Sequence, residues 1–317
     1  MNLPIRRAVF FLSSAALLSA LSPGAVAQAE QSQRGIEQTT ELEEVVVTGR
    51  AQDLIGIAES ALQGRVGQAQ IERRSILRPG EVLEVIPGLL ATQHSGSGKA
   101  NQFFLRGFNL DHGTDFSAYL DDVPLNLPTH AHGQGYLDLN IVIPELVEVV
   151  EFCKGPYYAD VGDFSFAGTA RIKTFNWLPN GLAKLSVGEN KWVRGLFANS
   201  NRLAMGNLLY GAEFNFYDGP WEVSEDFKKF NGLFKYTDGD QDRGFTLFGS
   251  GYHSEWIATN QIPERAIEQG LVSRFGSLDP TDGGKSGRYT LGMHWWNDAV
   301  NTATRINASV YHSNLDL

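Results

Sequence analysis

Cysteine occurs once in these 317 residues, as Cys153. A single thiol excludes an intrachain disulfide and any zinc site built on paired cysteines. Positive charge is also scarce: 26 lysines and arginines face 36 aspartates and glutamates, for a formal net charge of −10. Nucleic-acid backbones are held by clusters of Lys and Arg, so no nucleic-acid partner is expected. Beyond Leu21 no apolar run is long enough to cross a bilayer as a helix. If the chain enters a membrane, it does so as strands closed into a barrel, because backbone groups in lipid have no other way to be satisfied. Catalytic signatures are missing too. Ser95-Gly96-Ser97-Gly98-Lys99-Ala100 lacks both the first glycine of a phosphate loop and the Ser/Thr after its lysine. No Ser-His-Asp order or paired-carboxylate spacing stands out. We therefore expect no enzymatic activity and no resident cofactor.

What is present leans toward β structure: 34 glycines, and aromatics at 11%. The chain opens with Arg6-Arg7, an apolar run from Ala8 to Leu21 and the small-x-small site Ala25-Val26-Ala27. This reads as an export signal over residues 1–27, with an uncleaved N-terminal anchor as the alternative. Export without disulfides suits the bacterial envelope. Residues 28–60 read as a polar, flexible periplasmic segment. Within it, Val45-Val46-Val47 has strong strand propensity. Isolated in such surroundings, that strand either seeks the edge of a partner's sheet or forms an ordinary edge strand of the next domain.

Residues 61–178 read as a compact α+β domain. Ile71 to Pro87 is expected to be helical, with Val82, Leu83, Val85 and Ile86 on its apolar face. Strands are expected over Gln102–Leu105, Ser117–Leu120, Leu146–Phe152 and Ala170–Phe175. After Gly181 the period becomes 2. Leu208, Tyr210, Ala212, Phe214 and Phe216 alternate with Gly211, Glu213 and Asn215; Tyr289, Leu291, Met293 and Trp295 alternate with Thr290, Gly292 and His294. Apolar-out, polar-in segments of about ten residues are the pattern of transmembrane β-strands. About seven fit between 181 and 317. Compact turns at Thr237–Gly244 and Asn297–Thr302 are set against long loops at Tyr217–Lys228 and Ser254–Gly287, the asymmetry of an outer-membrane barrel. Trp256, Trp295, Trp296 and Tyr311 could serve as interfacial aromatics or in packing.

A family resemblance rests on six motifs in order. Glu43-Glu44-Val45-Val46-Val47-Thr48-Gly49 resembles a TonB box. Glu81 to Gly88 resembles an early plug helix with its Pro-Gly stop. Phe104-Leu105-Arg106-Gly107-Phe108 resembles the Arg-Gly-Phe strand of plug domains. Tyr119-Leu120-Asp121-Asp122-Val123-Pro124 resembles the Asp-Gly-Val-Pro turn, with Asp122 in place of the usual glycine. Val147 to Pro156 resembles the late plug strand that ends in Lys154-Gly155-Pro156. Ala167 to Ile172 resembles the closing strand, with Arg171 where asparagine is usual. The chain is thus similar to TonB-dependent outer-membrane receptors: an α+β plug domain followed by an antiparallel transmembrane β-barrel.

The resemblance implies binding of a scarce ligand at the outer face, outer-membrane lipid around the strands, and a pull by TonB on Glu43, Glu44, Val45, Val46, Val47 and Thr48. A ferric siderophore is the expected cargo, with a zinc or copper ion as the alternative; an envelope adhesin or a soluble binding protein is the competing class. Family barrels have about 22 strands, so about seven should be the N-terminal part of a longer receptor. Arg106, Gly107, Asp121, Lys154, Gly155 and Pro156 are expected to be structural in the plug, with Asp160 and Asp163 pairing with arginines such as Arg106.

Among candidate ligand contacts, Thr129-His130-Ala131-His132-Gly133-Gln134-Gly135-Tyr136 stands out. Two histidines two apart lie on one side of an extended chain, and imidazole pairs favour zinc, copper or nickel. His130 and His132 are the candidate metal ligands, with His112, Gln134 and Tyr136 as further contacts and His94 as a neighbour. The same histidines equally fit a plug loop in which every imidazole is hydrogen-bonded.

Overall fold

The computed structural model describes residues 57–58, 60–128, 133–258, 260–299 and 302–317. The export signal, the segment 43–49, and His130 and His132 lie outside the described residues.

Among the described residues the first domain has nine strands: β1 (Ile57–Ala58), β2 (Gln63–Gly67), β3 (Leu89–Thr92), β4 (Gln102–Leu105), β5 (Phe108–Asn109), β6 (Phe116–Leu120), β7 (Val123–Pro124), β8 (Val147–Cys153) and β9 (Gly168–Thr174). Six of them form a sheet in the order β1-β2-β8-β9-β6-β7, and β3-β4-β5 form a smaller one. The β6–β9 pair is parallel. Its crossover, residues 121–167, covers the core with Leu137, Leu139, Ile141, Val142 and Ile143, all buried. In β8, Val147 and Val150 are both buried although three residues apart, because a register shift between Val147 and Val149 breaks the alternation.

The expected helix over Ile71–Pro87 is two short pieces. The α-helix α1 spans Gln68–Ile71, and a 3-10 helix spans Pro79–Val85. Arg78, directly before proline, is held extended at φ −118°, ψ 136°, so no helix runs through it into Pro79. Glu81 then accepts hydrogen bonds from the backbone N–H groups of Leu77 (2.8 Å) and Arg78 (3.1 Å), capping the 3-10 turn. Val82, Leu83, Val85 and Ile86 are buried as expected. Each such side chain contributes about 1.5–3 kcal/mol of hydrophobic stabilisation.

Seven antiparallel strands follow: β10 (Leu182–Val187), β11 (Val193–Arg202), β12 (Asn207–Tyr217), β13 (Phe227–Gly239), β14 (Arg243–Ile257), β15 (Gly283–Ala299) and β16 (Thr302–Asp316). They pair in sequence order in one open sheet. Connections 203–206 and 240–242 are tight, whereas 218–226 and 258–282 at the other end are long. The last is shorter than expected, because β14 and β15 run on to 15 and 17 residues, past the roughly 9–11 that a tilted strand needs to cross a bilayer. A short helix, α2 (Glu264–Glu268), sits inside that loop.

The two faces of the sheet differ. Leu196, Ala198, Leu209, Leu233, Phe248 and Tyr252 point inward and belong to the same apolar cluster as the core of the first domain. Leu185, Phe197, Phe214, Phe230, Phe234, Leu247, Leu291 and Val310 are exposed on the other face. A continuous exposed apolar wall backed by a filled interior is the arrangement of a lipid-facing barrel wall around a plug. Of the four aromatics considered for the interface, Trp256 is buried against the plug and Tyr311 lies under the guanidinium of Arg288 at 4.0 Å, so both take packing roles.

Polar side chains on the inner wall hold the plug. Arg194 donates to both oxygens of Glu145, at 2.6 and 2.8 Å, and also bonds Glu213. Lys229 reaches Glu213 at 2.5 Å, with both side chains essentially buried. Asn231 donates to the carbonyls of Asn140 (3.1 Å) and Ile141 (2.9 Å). Arg288 donates to the carbonyls of Leu125 (2.9 Å) and Pro124 (2.5 Å). Burial alone would raise the Glu145 carboxyl, but hydrogen bonds and charge from Arg194, with help from Lys184, bring it down to about 2.

Candidate functional site

At the long-loop end, the plug presents the loop 93–99 to the wall. The Gln93 side chain shapes this loop by donating to the carbonyls of Ser95 (3.1 Å), Gly96 (2.7 Å) and Lys99 (3.2 Å). Trp256 of β14 lies flat on it: a Cβ at Gly98 would sit 1.9 Å from the indole ring, so only glycine fits. From the loop 218–226, buried Glu225 accepts from Ser97 N (3.2 Å), Ser97 Oγ (2.5 Å) and Trp221 Nε1 (2.8 Å). One carboxylate thereby ties a wall loop to the plug apex.

Between them lies a cavity of about 700 Å3, within the range typical of small-molecule sites. Its aromatic lining is Trp192, Tyr217, Trp221 and Phe227; its basic residues are Arg78, Arg274 and Lys229; His94 and Gln93 come from the plug. Asn215 also lines it, and the buried Oδ1 of Asn215 has no hydrogen-bond partner among the described residues. A buried acceptor left without a donor is a place where a ligand or water belongs. The chemistry on offer is recognition: planar surfaces to stack on and guanidinium groups for anions.

Beside the cavity, the imidazoles of His94 and His112 approach with their Nε2 atoms 3.3 Å apart. His112 is buried, with its Nδ1 3.0 Å from the carbonyl of Ala100 and 3.1 Å from that of Asn101. Carbonyls only accept, so Nδ1 carries the proton. Burial pushes the His112 pKa down to about 4, so the ring is neutral at physiological pH and its Nε2 has the lone pair. Tyr136 is buried beside it, ring centroids 5.7 Å apart, and its hydroxyl accepts from Ala100 N at 2.8 Å. Burial pushes the Tyr136 phenol far up, so it stays protonated.

The sequence candidates separate accordingly. His112 and Tyr136 come together next to His94, and Gln134 is exposed and does not line the cavity. Among the described residues no group of three or more His, Cys, Asp or Glu is arranged to hold a metal. Arg106 and Gly107 form the tight β4–β5 turn, with φ of 54° and 80°. Lys154 Nζ donates to the carbonyl of Ala61 at 3.4 Å, and Gly155 N donates to that of Ala167 at 2.8 Å. Asp160 pairs with Arg171 at 2.9 Å rather than with Arg106, because Arg171 on β9 faces it while Arg106 sits in the turn of the smaller sheet. Trp192, Trp221, Glu225 and Arg274 were not foreseen. They come from three separate loops, and only strand pairing brings them together.

Residues 58–169 match the family model of the TonB-dependent Receptor Plug Domain. Among solved structures, the chain is similar to the ferric citrate transporter FecA in its unliganded form: 15% identity and a TM-score of 0.66, covering 80% of this chain and 40% of that one. It is also similar to the copper transporter OprC: 17% identity and a TM-score of 0.59, covering 83% and 38%. A third is the siderophore receptor PirA from Acinetobacter baumannii: 16% identity and a TM-score of 0.59, covering 80% and 40%. The chain thus spans 38–40% of the length of these three proteins, and the likeness is one of fold.

Proposed function

We propose that this chain, whose residues 58–169 form a TonB-dependent receptor plug domain, serves the energy-coupled uptake of a small metal chelate across the outer membrane, with a ferric siderophore as the leading cargo. The observation that carries this reading is the cavity at the long-loop end, where plug and wall loops line one pocket with four aromatic side chains and two arginines. Long loops face outward in outer-membrane barrels, so the cavity opens where a scarce solute arrives. Aromatic faces and guanidinium groups suit the planar, anionic donors that wrap iron. Ferric citrate and siderophores are what two of the similar structures are named for, which supports such a cargo. The buried polar contacts between wall and plug supply a closed state, and TonB, pairing with the segment 43–49 as an added strand, would supply the force that loosens it.

A second reading, uptake of a zinc or copper ion, is favoured by the His94–His112 pair beside the same cavity and by the likeness to a structure named as a copper transporter.

The test is accumulation of 55Fe supplied as citrate, hydroxamate and catecholate chelates, in cells expressing the full-length receptor with and without TonB. TonB-dependent accumulation of at least one chelate is expected. Release of the protein into the soluble periplasm, or migration that does not change on heating, would favour a soluble binding protein or adhesin instead.

A further inference from the structure

We propose that the floor of the cavity holds a saccharide unit: a neutral ring, hydroxylated at its rim, that stacks its C–H face on the aromatic lining and donates a hydroxyl to Asn215. This rests on the uptake reading above and assigns to the same cavity the part of the cargo that enters deepest.

Strand pairing sets two rows across the inner wall. Arg194, Asn215, Lys229 and Ser254 stand opposite one another on β11, β12, β13 and β14. Nearer the long loops, Tyr217 pairs with Phe227, and Trp192 directly precedes β11. Residues two apart on a strand share a face, so the aromatic row stands about 7 Å above the polar one. Trp192, Tyr217, Phe227, Asn215 and Lys229 all line the cavity.

Charge in the polar row is already matched. Lys229 reaches Glu213 at 2.5 Å, and Arg194 Nε donates to the same carboxylate at 3.0 Å. Asn215 stands between these two cations, both turned to Glu213. It is 7% exposed, and its Oδ1 accepts from none of the described residues. What the row lacks is a donor. An anionic group there would bring one more acceptor to that oxygen, and an apolar group would leave it desolvated and unsatisfied. A neutral hydroxyl donates to Oδ1 and can accept in turn from carboxamides of the lining, such as Asn190 and Gln261. Arg274, on the exposed loop 258–282, lines the same cavity and suits an anionic group on a larger solute.

The aromatic row is held in place. Trp221 Nε1 donates to Glu225 at 2.8 Å, and a Cβ at Gly219 would come within 2.5 Å of its indole. A Cβ at Gly188 would likewise stand 3.0 Å from Trp192. Both indoles are half-buried and line the cavity, so a stacked ligand meets surfaces ordered in advance. Aromatic faces are negative and attract C–H groups. A pyranose has C–H groups on its faces and hydroxyls around its rim, so one ring satisfies both rows at once.

The test uses the full-length receptor in a detergent without a sugar headgroup, titrated by calorimetry with metal-free neutral trisaccharides of glucose, galactose, mannose and N-acetylglucosamine. At least one should bind, with an affinity that added salt does not lower. Trp192→Ala and Asn215→Leu should each weaken that binding at least tenfold, with heat-modifiable migration unchanged. If Asn215→Leu fails to fold, Trp192→Ala decides alone. No binding of any trisaccharide by the wild type, or unchanged affinity in the folded variants, overturns the site even where 55Fe uptake is intact. TonB-dependent accumulation of the bound trisaccharide supports a free saccharide as cargo. Binding without accumulation, in cells that do take up a 55Fe chelate, supports a saccharide unit carried on a larger solute. Binding that the variants lose, in a protein with no TonB-dependent uptake, keeps the site and overturns the transport reading instead.

Discussion

Lys235 on the inner wall and Asp121 in the plug hairpin meet at 2.8 Å, each side chain only 7% exposed. Asp121 also accepts from Thr174 N at 3.2 Å and Thr174 Oγ1 at 2.5 Å, and Lys235 donates to the Thr174 carbonyl at 2.9 Å. The carboxylate and the ammonium are therefore both satisfied where the wall meets the plug sheet. Removing one partner leaves a buried charge unpaired, which costs about 3–5 kcal/mol, whereas replacing both with apolar groups is far milder. Lys235→Ala should lower the urea midpoint for plug release, and Lys235→Met with Asp121→Asn, which tolerates the left-handed backbone of that position (φ 45°) and keeps an acceptor for Thr174, should recover much of the loss. A double variant as unstable as the single would contradict this.

A pH dependence follows from Glu145. Its carboxyl is depressed to about 2 in the folded protein, below its ordinary value near 4.5. A depressed acid contributes stability that is fully present above the ordinary value and lost as pH falls toward the folded one. Plug attachment should therefore be constant from neutral pH to about 5 and should weaken between about 4.5 and 2. Amide exchange of the Pro144–Leu146 turn across that range would show it, and Glu145→Gln should remove this component of the dependence.

Asp122 and Arg171 depart from the usual plug motifs and sit 3.3 Å apart. Asp122 has φ of 65°, the conformation for which glycine is the usual choice in a two-residue hairpin turn. Asp tolerates it better than most residues, and its carboxylate joins Asp160 around Arg171, which stacks on Tyr119 at 4.8 Å. Asp122→Gly should change stability by less than about 1 kcal/mol, since backbone relief offsets a half-exposed ion pair. Asp122→Val should cost about 1–2 kcal/mol, as its branched side chain resists the left-handed region. Chemical denaturation compares the two.

On the outer wall, Gly249 lies opposite Phe234, whose ring covers it so closely that a Cβ would come within 2.2 Å. Gly249→Val should displace the ring and cost about 1–3 kcal/mol. Lower temperatures for the heat-induced mobility shift would register this loss, and an unchanged transition would contradict the packing.

Much of this architecture could be read from residue order alone. The seven strands show a period of 2, and Gln102–Leu105 coincides with β4. The Asp121-Asp122 turn followed from its motif. The broken helix did not, because the extended Arg78 before Pro79 outweighs an apolar pattern that suits a continuous helix. The reach of β14 and β15 was hidden by Gly283-Gly284 and the polar stretch Lys285–Gly287, which look like loop. Trp256 has the composition of an interfacial residue, and only the register that aims it at Gly98 shows its packing role. Of the site, Tyr136 belongs to the segment Thr129–Tyr136 that the residue order singles out, and His112 and His94 enter only as its expected neighbours. The meeting of His94 with His112, and of Trp192, Trp221 and Arg274 around one cavity, depends on long-range pairing that no local pattern records.

Energy coupling is the central claim, and Val46→Pro tests it most directly. Proline removes a backbone donor and cannot join a ladder as a regular strand, so the proposed TonB pairing fails while the cavity is untouched. Binding of the transported 55Fe chelate to cells at 0 °C, and its accumulation at 37 °C, should be measured side by side. The account predicts binding equal to that of the wild type, with accumulation reduced to the level seen without TonB; undiminished accumulation in the Val46→Pro receptor would contradict it.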